Sequence, residues 1–151
     1  MGIDSYQLHL SAEADPKAVA ELEQKILRHN QARIGAYRYT PLVITARDPS
    51  GGLGGVLQGH TGLEWLYIEL LWIVEDLRRQ GLGERLLNAA ETEAQHRGCR
   101  NSYLYTYSFQ TPGFYTRRGY QCCCRLEAFP AGHEKLLLKK SLNLSTDKLG
   151  A

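Results

Sequence analysis

The chain has 151 residues, 43% of them hydrophobic, with 18 basic against 16 acidic side chains and a net charge of +2. That length and apolar content suit one domain with its own core, and the near-cancelling charge excludes the broad basic field that gathers nucleic acid or acidic lipid. No apolar run approaches the roughly 20 residues of a membrane span, and Met1-Gly2-Ile3-Asp4-Ser5 lacks the basic-then-apolar layout of a signal peptide. The expectation is a soluble, cytoplasmic protein with no nucleic-acid or membrane partner, in which any anion site is local.

Tyr6, Leu8 and Leu10 alternate with polar neighbours and predict an opening strand. Asp15-Pro16 supplies a cap and a proline for the first helical position, and Val19, Leu22, Ile26 and Leu27 share one stripe, predicting an amphipathic helix that ends near Asn30. Residues 31 to 40 show no assignable pattern. Pro41 to Arg47 reads as a strand, Asp48-Pro49-Ser50-Gly51-Gly52 as a turn, and Gly54 to His60 as the return strand of a hairpin.

After a break at Thr61-Gly62, Glu64 to Val74 is dense in aromatic and branched residues and predicts a long central strand buried on both faces. A polar link, Glu75 to Gln80, leads to Gly81-Leu82-Gly83 and a helix with Leu86, Leu87, Ala90 and Ala94 on one side and Gly98 as its stop. Ser102 to Phe109 reads as a strand, and Thr111-Pro112 opens a short helix that Gly119 ends. Tyr120 to Phe129 and His133 to Lys140 form a closing hairpin across Pro130-Ala131-Gly132. The polar tail from Ser141 to Ala151 is expected to fray. No repeat or linker interrupts the chain, so residues 1–151 read as a single domain.

Cys99, Cys122, Cys123 and Cys124 invite a metal or redox reading, but consecutive strand residues point to alternate faces and cannot together chelate one tetrahedral ion. The cysteines read as reduced and structural, and no metal is expected. The five histidines form no close cluster and receive no role.

A helix opened by glycines presents unpaired N–H groups and the positive end of its dipole, a ready cradle for an anion. Arg78 and Arg79 add guanidinium groups suited to phosphate, which points to a pyrophosphate guest. The Walker pattern fails because Gly83 is followed by Glu84-Arg85, and the dinucleotide fingerprint fails because Leu86 stands where a third glycine belongs.

The segment Arg78-Arg79-Gln80-Gly81-Leu82-Gly83 is similar to the Gln/Arg-x-x-Gly-x-Gly/Ala motif of the GNAT superfamily of acyl-CoA N-acyltransferases. Phe114-Tyr115-Thr116-Arg117-Arg118-Gly119-Tyr120 resembles that family's Phe-Tyr-x-x-x-Gly-Phe/Tyr segment. The element order from Tyr6 to Lys140 is also similar to its β-α-β-β-β-α-β-α-β-β layout. The resemblance implies an α/β fold, a central, mostly antiparallel mixed sheet flanked by helices. It implies acetyl-CoA as co-substrate, with pantetheine paired along Leu71, Trp72, Ile73 and Val74. The pyrophosphate would meet the N–H groups from Arg79 through Gln80, Gly81, Leu82 and Gly83 to Glu84.

Direct transfer to an amine needs a base, an oxyanion donor and an acid for the leaving thiolate. By resemblance the acid is Tyr115 and the oxyanion donor a backbone N–H near Ile73. Glu69, with Glu64 second, is the candidate base. The acceptor is a small-molecule or peptide amine, its specificity set by residues 31–40 and 129–133. Tyr37, Tyr39, Tyr105 and Tyr107 are candidate lining residues, and a homodimer could cover the closing hairpin's edge. A noncatalytic acyl-CoA-binding module is the alternative, against which Tyr115 weighs because binding alone needs no proton donor.

Overall fold

The computed structural model describes residues 6–142, which divide into two compact units, one running to Tyr37 and the other starting at Arg38. In the first, helix α1 spans Pro16–Ile34. The Asp15 carboxylate caps it, accepting from the N–H groups of Lys17 and Ala18 at 3.1 Å each, with Pro16 in the first turn where no donor is missed. The helix runs one turn past Asn30, until Gly35 turns to φ +85 and its N–H closes on the Gln31 carbonyl. The strand expected at Tyr6, Leu8 and Leu10 does not form: the segment is irregular and all three side chains are exposed. Alternation marks which face a strand would bury, but only a neighbouring strand satisfies its amides.

The second unit holds six strands: β1 (Thr40–Arg47), β2 (Leu53–Gly62), β3 (Trp65–Ile73), β4 (Asn101–Tyr107), β5 (Gln121–Leu126) and β6 (Lys135–Ser141). They form one mixed sheet in the order β1-β2-β3-β4-β6-β5, with β3–β4 the parallel pair among antiparallel ones. Helix α2 (Leu82–His96) is the crossover between those two, as parallel neighbours require. Its stripe of Leu86, Leu87, Ala90 and Ala94 packs into one core with Leu57, Leu66, Ile68, Leu104 and Leu138. The short helix α3 spans Pro112–Thr116.

β3 is not buried on both faces. Leu66 and Ile68 are buried under α2, Trp65 and Tyr67 on the other face are half-buried, and Leu70 and Trp72 are exposed. On β4 the alternation is the same, with Ser102, Leu104 and Thr106 buried and Tyr103, Tyr105 and Tyr107 on the opposite, aromatic face. Ser141, expected in the tail, closes β6, and Leu142 is buried with its N–H on the Arg100 carbonyl at 2.7 Å. The rest of that tail lies outside the described residues. The three consecutive cysteines lie on the edge strand β5, all exposed and unbridged, with the register slipping between Cys122 and Cys124.

Candidate active site

β3 and β4 pair only over Trp65–Ile68 with Asn101–Leu104. Beyond that both strands continue, to Ile73 and Tyr107, with no ladder between them, so main-chain groups of β3 from Glu69 onward face an open gap. The parting coincides with a β-bulge: Gly59 opposes Ile68 and Gln58 opposes Leu70, leaving Glu69 as the extra residue. Gly59 makes the bulge possible, because a Cβ there would lie 2.0 Å from the Tyr67 carbonyl oxygen. The Glu69 carboxylate is exposed and accepts from the Gln58 amide at 3.1 Å.

Past β3 the Val74 N–H returns to the Gly54 carbonyl, a single 3-10 turn covers Glu75–Leu77, and Arg79 and Gly81 take left-handed conformations, φ +60 and +84. Gly81 caps α2. The Arg85 N–H meets the Gly81 carbonyl at 3.1 Å, and the amides ahead of it in the turn have no helical carbonyl behind them. That end of the helix can therefore hold an anion. The two arginines differ. Arg78 lies over the Trp72 ring, 4.5 Å from its centroid, and donates from Nε to the Ile73 carbonyl, whereas the Arg79 side chain makes no ion pair among the described residues. Gln80 donates to the Asp76 carbonyl, and Glu84 is paired with Arg118 at 3.0 Å.

α3 closes the gap's other side. Phe114 packs against Gly83, where an added Cβ would come within 3.3 Å of the ring and 3.6 Å of Ile73 Cγ1, so β3's end, α2's first turn and α3 meet at one point. Tyr115, half-buried, stands edge-on to Phe114 and to Tyr120, with centroids 5.0 and 5.7 Å apart. Burial pushes its phenol up to about 12, so it is a protonated donor throughout the neutral range.

On the aromatic face a cavity of about 350 Å³ is lined by Tyr39, His60, Trp65, Tyr67, Tyr103 and Lys139, among others. Burial, and next the Glu69 carboxylate, raise the phenol of Tyr67, one of the residues lining this cavity. Tyr105 and Tyr107, expected as lining, instead face the Lys135 ammonium, 5.1 and 5.5 Å from their ring centroids. Glu64, the second candidate base, lies in the turn between β2 and β3, beside Arg100 and at the opposite end of β3 from Ile73.

The model of the Acetyltransferase (GNAT) family matches residues 6–120. The chain belongs to the GNAT acetyltransferase family. This acetyltransferase is 34% identical over 131 residues to the acetyltransferase Atu2258 of Agrobacterium fabrum, a match covering 87% of this chain and 96% of that one. It is 42% identical over 93 residues to the blasticidin-S acetyltransferase of Streptomyces morookaense, covering 61% and 68%. The crystal structure of an Agrobacterium tumefaciens acetyltransferase superposes with a TM-score of 0.83 at 33% identity, covering 90% of this chain and 99% of that one.

The structure of this acetyltransferase brings together Leu71 to Val74, Arg79 to Glu84 and the Tyr115 helix around one gap, while Glu69 stands at its start. Among the described residues no cluster of three His, Cys, Asp or Glu side chains could hold a metal ion, and no helix is long and apolar enough to cross a membrane. Sequence reasoning missed three contributors. Gly59 shows its purpose only through cross-strand register. Arg118, inside the second motif, stacks over Phe114 at 4.0 Å and ties α3 to Glu84, with its own Nε buried and unpartnered. Glu91 is a buried carboxylate inside the helix's apolar stripe, an anomaly visible in the pattern 86, 87, 90, 94.

Proposed function

We propose that the enzyme transfers the acetyl group of acetyl-CoA directly to the primary amine of a small molecule. The observation that carries this reading is the parting of β3 from β4 immediately ahead of the anion-ready end of α2, with a protonated tyrosine beside it. The open edge of β3, from Leu71 to Val74, offers main-chain groups to an extended pantetheine, as a missing strand would use them. The amides from Arg79 to Glu84 receive the pyrophosphate, with Arg79 a cation that has no ion pair among the described residues and Glu84's charge offset by Arg118.

Glu69 takes the surplus amine proton through water. The nitrogen attacks the acetyl carbonyl, whose oxygen draws on a backbone N–H near Ile73; the C–S bond breaks as Tyr115 donates its proton to the departing thiolate, and the proton left on the acylated nitrogen returns to the tyrosinate. The acceptor's body enters by the aromatic cavity, whose Tyr67 stands two residues before Glu69 on β3. A small-molecule acceptor is supported by the similarity to the Streptomyces blasticidin-S acetyltransferase. The family match runs across both compact units, which supports reading the chain as one catalytic domain.

Calorimetric titration with acetyl-CoA, on the protein and on Arg79→Ala, tests the cradle. Saturable binding that the substitution weakens is expected, and no binding by the folded protein overturns the reading. Thiol release is then screened over amines, with blasticidin S among the first.

A further inference from the structure

Five residues are too few for a helix to hold its own shape, so the direction of the Tyr115 ring is imposed from outside α3. Two carboxylates of α2 do this, Glu84 and Glu91, two turns apart and therefore on one face. Glu84 holds Arg118, which donates to the Phe114 carbonyl at 2.8 Å and covers the Phe114 ring. Glu91 holds Tyr120. The Tyr120 hydroxyl donates to Glu91 Oε1 at 3.0 Å and lies 2.8 Å from Ser102 Oγ, while Lys140 Nζ donates to Glu91 Oε2 at 2.6 Å. Tyr120 in turn touches Tyr115 twice, by its N–H on the Tyr115 carbonyl at 3.2 Å and by an edge-to-face ring contact at 73°.

The Glu91 limb is buried, with Tyr120 2% exposed, Ser102 0% and Glu91 9%, and both Glu91 oxygens are partnered. A carboxylate in an apolar stripe carries a desolvation cost that a leucine would not, offset here by its pairing with Tyr120 and Lys140. The contacts end on Tyr115, in the helix whose Phe114 packs at Gly83 beside Ile73.

We infer that Glu91, acting through Tyr120, is a positioning residue that fixes the Tyr115 phenol at the gap between β3 and β4. The inference rests on the reading of Tyr115 as the proton donor to the CoA sulfur. The helix whose first turn receives the phosphates would thereby also aim the acid.

The test is NMR of the full-length protein carrying [13Cζ]tyrosine, with the Tyr115 line identified by its loss in Tyr115→Phe, and with CoA and desulfo-CoA as probes. In the wild type a single Tyr115 line is expected, moved by CoA and not by desulfo-CoA. Tyr120→Phe keeps the ring and cuts the tether, and the Tyr115 line should shift and broaden and lose its response to CoA. Glu91→Ala should do the same, and Glu91→Gln, which keeps an acceptor for Tyr120, should restore the line. A Tyr115 line and CoA response unchanged in Tyr120→Phe would overturn the inference, as would Glu91→Gln behaving like Glu91→Ala. If Glu91→Ala does not fold, Tyr120→Phe decides alone. Equal response to CoA and desulfo-CoA in the wild type instead removes Tyr115 from the sulfur, while the tether is still judged from the free protein's Tyr115 line.

Discussion

Replacing Gly59 by alanine should do damage out of proportion to one methyl group. The added Cβ would lie 2.0 Å from the Tyr67 carbonyl oxygen, 3.0 Å from its carbon and 3.2 Å from Ile68 Cα. All three are main-chain atoms of β3, so no rotamer change relieves the collision; the bulge must reshape or β2 and β3 must separate. Overpacking costs about 1–3 kcal/mol, and a backbone collision this deep belongs near the top of that range. At about 2–4 °C per kcal/mol for a domain of this size, the melting temperature falls by roughly 6–12 °C. Acetyl-CoA affinity should fall as well, since the bulge stands where β3 leaves β4 and sets the edge that would receive pantetheine. The control is Gly132→Ala, where a Cβ meets nothing within 4 Å and only φ +79 is strained. That substitution costs about 1 kcal/mol and leaves binding intact. Thermal melts and calorimetry at low temperature read both effects. Gly59→Ala melting within about 2 °C of the wild type, with normal acetyl-CoA binding, would refute the claim that this bulge shapes the gap.

Arg79→Gly should move stability and binding in opposite directions. Relief of a left-handed arginine raises the melting temperature by about 3 °C for about 1 kcal/mol of strain, while the lost cation weakens acetyl-CoA binding; Arg79→Ala weakens binding with no gain in melting temperature. Alanine at Cys122, Cys123 and Cys124 together should leave maximal thiol-release turnover unchanged, with any effect confined to the acceptor's KM because Cys123 lines the aromatic cavity; loss of maximal turnover in a folded triple variant would favour an acyl-enzyme. The Tyr115 phenol, raised by burial to about 12 from 10.0, keeps a proton that the unfolded chain gives up, so the folded state loses stability as pH rises between those values. The loss is about 2–3 kcal/mol by linkage, and urea melts across that window should be flatter in Tyr115→Phe.

The long strands, α2 and the capped start of α1 were legible because each is written in local chemistry: alternation, an apolar stripe, Asp15-Pro16. The opening strand was not, because Tyr6, Leu8 and Leu10 satisfy the pattern without having a neighbour to pair with. The burial of β3 was overestimated for a related reason. Aromatic and branched residues are equally at home on a half-buried face, and one extra residue at Glu69 shifts the alternation so that Leu70 and Trp72 face outward. Nothing local announces that bulge. It exists in the register between two strands, and the residue that permits it, Gly59, lies ten positions away on the partner strand.

The phosphate loop and the tyrosine segment lie some thirty residues apart in the sequence, and the structure shows how they are joined. Gly81 is required by its left-handed turn, with empty space around it, whereas Gly83 is required by the ring of Phe114. The second glycine of the loop is thus a packing seat for the second motif, and Arg118 fastens the seat by joining Phe114 to Glu84. A substitution at Gly83 should consequently be felt at Tyr115 through Phe114, one residue away, before it is felt by a phosphate. Calorimetry with acetyl-CoA alongside the Tyr115 NMR line of Gly83→Ala separates these. A displaced line with near-normal affinity supports the packing role, and lost affinity with an undisturbed line would return Gly83 to the anion cradle alone.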